Sequence, residues 1–130
     1  MKKRVLVGMT ALLLSLSLLM AQEIPAGVIT AFKRGSSQEL SKYMGDKVNL
    51  VLQGRSTNVD KQKATATMQE FFTKNKVSGF NVNHQGKRDE SSFVIGTLAT
   101  TKGNFRVNCF LKKVQDKCLI HQIRIDKINE

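Results

Sequence analysis

Residues that could hold a metal or act as nucleophiles are few in this 130-residue chain: two cysteines, two histidines and a single tyrosine. A structural zinc site draws about four ligands from such groups. Beyond Cys109 and His121 the chain has no cysteine or histidine placed to complete a set, so neither a metal site nor any other cofactor is expected. Acids are also thin, ten against 21 lysines and arginines. Asp46, Asp60, Asp89, Glu90 and Asp116 fall at helix starts, turns or strand ends, and no acid falls on the core face of a strand, where a general base would sit. Glu70 is helical, but the neighbouring Met68–Phe71 stripe points it outward. These absences argue against acid–base and metal-assisted catalysis and favour a non-enzymatic protein.

What the chain does have is an export leader. Met1-Lys2-Lys3-Arg4 is a basic start, and Val5 to Met20 is apolar apart from Thr10, Ser15, Ser17 and the small Gly8. That core of about 16 residues is shorter than the roughly 20 a spanning helix needs. Ala21 supplies a small residue for cleavage, although Leu19 is larger than usual two positions earlier. The sequence therefore predicts a signal peptide over residues 1–21 and one domain over 22–130, periplasmic or secreted, meeting a membrane only during export. No cysteine near the cut allows a lipid anchor. Losing Lys2, Lys3 and Arg4 lowers the net charge from +11 to +8. The remaining basic residues are scattered in runs of at most two. Scatter and export together exclude nucleic acid as the expected partner and leave anionic envelope components as the electrostatic one.

Along the domain, Ile24, Val28, Ile29 and Phe32 follow helical spacing from Pro25, and Gly35 ends the helix. Ser36 and Glu39 form a capping box for a short helix burying Leu40, Tyr43 and Met44. Val48, Leu50 and Leu52 alternate as a strand, Gly54 to Asn58 reads as a turn, and Thr57 with Asp60 caps a helix carrying Ala64, Met68, Phe71 and Phe72. From Val77 the period becomes 2. A strand bearing Phe80, Val82 and His84 is followed by three more, over 92–101, 104–113 and 117–128. The class is α+β, with N-terminal helices packed on a curved antiparallel sheet.

A Lys102-Gly103 hairpin turn places Gly96 opposite Cys109. A three-residue turn at 114–116 places Cys109 opposite His121. On this register a pocket lined by Val82, Gly96, Cys109 and His121 opens on the concave face, with Gly96 leaving room for a small ligand. A packed thiol beside a core histidine is the competing arrangement, since no acid or amide orients a Cys–His pair there. Cys118 falls on the other face, so two free thiols are expected. The outer face carries Ile95, Phe110 and Ile120 in a row, flanked by Phe93, which marks a surface for a homodimer.

The Phe71-Phe72 pair, His84-Gln85-Gly86, Ile95-Gly96-Thr97-Leu98, Gly103-Asn104-Phe105-Arg106-Val107 and Ile123-Arg124-Ile125 resemble a small uncharacterised bacterial secreted family, domain of unknown function 4783. The element order resembles the cone of nuclear transport factor 2 and the cystatin-like folds. The resemblance implies a fold with a pocket between helices and sheet and a tendency to pair through sheets. It implies no activity. The reading is thus an exported, non-enzymatic binding or interaction domain that self-associates through its outer sheet face, with the small-molecule pocket around Cys109 and His121 as the alternative.

Overall fold

A computed structural model describes residues 24–128 of the chain. The expected signal peptide lies outside the described residues. Helix α1 (Ala26–Arg34) starts directly after Pro25, whose fixed φ suits a helix entry. It closes at Gly35, where the Gly35 and Ser36 amides donate back to the Phe32 and Ala31 carbonyls. Helix α2 (Ser37–Ser41) is a single turn held by its capping box, with Ser36 Oγ accepting from the Glu39 amide at 3.1 Å. Helix α3 (Lys61–Lys74) is capped by Asp60, whose carboxylate accepts from the Lys63 amide at 2.8 Å. The expected partnership of Thr57 with that cap is absent, because Thr57 belongs to a strand.

Six strands form one sheet in the order β2-β1-β6-β5-β4-β3. They are β1 (Met44–Leu52), β2 (Arg55–Asp60), β3 (Val77–Arg88), β4 (Ser91–Thr100), β5 (Gly103–Val114) and β6 (Lys117–Lys127). The sheet is curved, open and mixed, since β1 runs parallel to β6 while every other pair is antiparallel. The three helices pack on it, as the α+β reading expects. The core joins Val28 and Phe32 of α1, Leu40 of α2, and Met68 and Phe72 of α3 to the concave face of the sheet.

Three sequence expectations need correction. The segment after Gly54 is β2, an edge strand whose polar RSTNVD sequence hides its period-2 pattern. The β4–β5 register differs by two residues. The loop is Thr101-Lys102, where Thr100 Oγ1 accepts from the Lys102 amide and donates to the Gly103 carbonyl. This pairs Val94 with Cys109 and Gly96 with Val107. A shift of two leaves every side chain on its expected face.

The third correction changes faces. The last hairpin turns at Gln115-Asp116, with Val114 opposite Lys117 and Leu111 opposite Ile120. One extra residue, His121, then bulges before Phe110 pairs with Gln122 and Cys109 with Ile123. Ile120 therefore joins the core, fully buried, and does not belong to the outer row.

Burial separates the two registers experimentally. With Ile120 in the core, Ile120→Ala is expected to cost about 2–4 kcal/mol of unfolding free energy in a urea titration. A loss below about 0.5 kcal/mol, typical of a surface site, would return Ile120 to the outer face.

Candidate functional site

The four residues expected to line a concave pocket do not come together as one. Cys109 is fully buried in the core opposite Ile123, and burial pushes its thiol up to about 12. A thiol held protonated to that degree is a packing group, not a nucleophile. His121 sits exposed on the bulge, its pKa lowered by partial burial and then by the Lys112 ammonium. Val82 pairs with Gly96 but lies on the edge strand and is 37 % exposed. The space above Gly96 is filled by the Phe80 ring, and a Cβ there would also lie 2.6 Å from the Asn81 carbonyl oxygen. Gly96 thus admits an aromatic ring of the chain itself, and the cavity expected there is closed.

On the outer face, Phe93 and Phe110 are direct cross-strand neighbours, and Ile95 lies one row on, opposite Asn108. All three are half-buried. Phe93 lies across Gly86, where a Cβ would come within 2.8 Å of its ring, and it meets the His84 ring at 5.4 Å. Asn108 Oδ1 is buried without a hydrogen-bond partner among the described residues. Arg106 pairs with Asp126, and Arg124 with Asn108.

The opening in the concave face is elsewhere, between α3 and the end of the β1–β2 hairpin. A type I′-like turn, with positive φ at Gln53 and Gly54, folds β2 back so that Arg55 faces Leu52, Thr57 faces Leu50 and Val59 faces Val48. The Gln53 amide donates to the Ile125 carbonyl at 2.9 Å and ties the hairpin to β6. The hairpin reaches past the cover of α3 and leaves a cleft of about 430 Å³. Its floor is Leu52, Phe71, Phe105 and Ile125, with Phe71 set edge-on against Phe105 at 5.2 Å. Arg55, Glu70 and Lys74 stand at its rim, Glu70 being paired with Lys74 at 3.4 Å. A second lobe of about 260 Å³ shares Leu52, Arg55 and Thr67 and continues over Leu50 and Val59 to Lys63.

Chemically this is an apolar trough with a cationic border. Serines 37 and 92 are the only buried polar or charged residues among those described, so no buried carboxylate is available as a general base. No cluster of potential metal ligands occurs among the described residues. Sequence reading missed the cleft because Arg55, Thr57 and Val59 alternate correctly for a strand while only Val59 is apolar. The Gln53-Gly54 dipeptide was the available signal, a glycine at the second position of a two-residue hairpin turn.

Residues 25–126 match the family described as domain of unknown function DUF4783. The chain belongs to the DUF4783 family. A DUF4783 protein from Bacteroides ovatus, solved as a crystal structure, is 94% identical, covering 84% of this chain and 99% of its own with a TM-score of 0.83. Another from Bacteroides fragilis is 66% identical over 81% of this chain and 99% of its own, TM-score 0.79. A domain of unknown function with a cystatin-like fold from Nostoc punctiforme, 11% identical, covers 81% of this chain and 73% of its own with a TM-score of 0.63. This DUF4783 chain thus shares the cone of the nuclear-transport-factor-2-like and cystatin-like folds. No curated protein matches it.

The two thiols of this DUF4783 protein differ in access: both are free, with Cys109 buried and Cys118 half-buried. Native protein treated with iodoacetamide is expected to gain one adduct, at Cys118, and a second only in denaturant, read by intact mass and peptide mapping. Equal native labelling of both would place Cys109 outside the core.

Proposed function

We propose that this is an exported, non-enzymatic binding domain whose ligand enters the cleft between α3 and the β1–β2 hairpin. Export rests on the basic and apolar leader of the sequence. Binding rests on one observation, the 430 Å³ opening with an apolar floor and charges confined to its rim. Small-molecule sites occupy roughly this range of volume and are lined mainly by apolar groups with a few polar ones. The absence of a buried acid from the described core favours binding over catalysis.

Amide chemical shifts of the protein titrated with decanol test it. Saturable shifts are expected at Leu52, Thr67, Phe71 and Phe105, and Thr67→Trp, which fills the cleft from the helix side, should abolish them. Saturable shifts centred elsewhere, or none, would overturn the cleft.

A second reading is self-association through the outer sheet face. It is favoured by the half-buried Phe93, Ile95 and Phe110 and by the orphaned Asn108 Oδ1 among them, an acceptor that a partner's donor would satisfy. Ile120, first counted in that row, takes no part. Sedimentation at micromolar concentration should show a dimer that Phe110→Asp converts to monomer; a wild-type monomer rejects this reading.

A further inference from the structure

We infer that the cleft selects an aliphatic monocarboxylate, with its head on Arg55 and its tail along the apolar floor; this rests on the cleft being a binding site. The charges around the opening are unequal in kind. Among the described residues Glu70 is the only acid lining it, and it is paired with Lys74, both on α3. Arg55 stands on the opposite wall, lines both lobes, and has no carboxylate partner among the described residues. Lys63 lies in the same lobe, and its side chain is likewise without one. An anion entering the cleft is therefore drawn to the Arg55–Lys63 side and kept from the Glu70 side.

The fork of a guanidinium matches a carboxylate with two parallel hydrogen bonds. Arg55 is the cross-strand neighbour of Leu52, whose side chain begins the floor that runs on to Phe71 and Phe105. A head group bound at Arg55 leaves its tail at the start of that floor. An unbranched chain satisfies both halves of the site: burial of its methylenes on the floor contributes affinity, and the charge-assisted pair at the rim fixes direction. An uncharged amphiphile of equal length would gain only the first. A cationic one would meet Arg55 and Lys63 unfavourably.

Calorimetric titration of the full protein with decanoate, decanol and decylammonium separates these terms. Decanoate is expected to bind about tenfold tighter than decanol, the scale of one charge-assisted hydrogen-bonded contact at a solvent-exposed rim, and decylammonium more weakly than decanol. Arg55→Gln, an exposed change on an edge strand, should bring the decanoate and decanol affinities together, removing the preference for decanoate. If decanol binds as well as decanoate, or if Arg55→Gln keeps the preference, the carboxylate assignment falls while the cleft stands. If none of the three binds, both fall.

Discussion

Strand β6 carries the constraint on which the rest of the molecule depends. It lies between β1 and β5 at the centre of the sheet, and it must present Ile120, Ile123 and Ile125 to one face. Their numbers have mixed parity, and an unbroken strand would send Ile120 to the opposite side from the other two. The one-residue bulge at His121 resolves this by letting the exposed imidazole occupy the extra position. On the other edge of β6, the Ile120 amide donates to the Tyr43 carbonyl at 2.6 Å and starts the parallel pairing with β1. Without the bulge, the core would lose a fully buried isoleucine and the sheet its junction with the first strand.

That junction sets where the cleft can be. Because β1 runs beside β6 and turns back sharply at Gln53-Gly54, the β1–β2 hairpin forms an overhanging wing at one end of the curved sheet. Helix α3, fixed at its start by the Asp60 cap, spans the concave face but leaves the wing partly uncovered. At the other end of the sheet Phe80 lies over Gly96 and stacks near Phe32 at 5.2 Å, so the concave face is sealed there. One sheet thus has a closed end and an open one, and the difference comes from which side chains the helices bring to it.

Much of this was legible in residues. The helical spacing from Val28 to Phe32, the Ser36–Glu39 box and the alternation of Val48, Leu50 and Leu52 all correspond to the elements observed. The α+β class and the cone follow from their order. Side-chain faces survived the wrong β4–β5 register because the error was even. The candidate site did not survive, because Cys109 and His121 depend on an odd shift that no local pattern announces.

The sequence by itself determined the helices and every strand but β2, the core-facing stripes apart from Ile120, the scarcity of catalytic groups and the basic charge, since these depend on period, capping and composition within short windows. Tertiary structure alone decided the parallel β1–β6 pairing, the His121 bulge, the filling of the space above Gly96 and the opening beside Arg55. Each of these arises from segments far apart in the chain competing for the same volume. The number of residues in a turn or a bulge then decides which side chains meet.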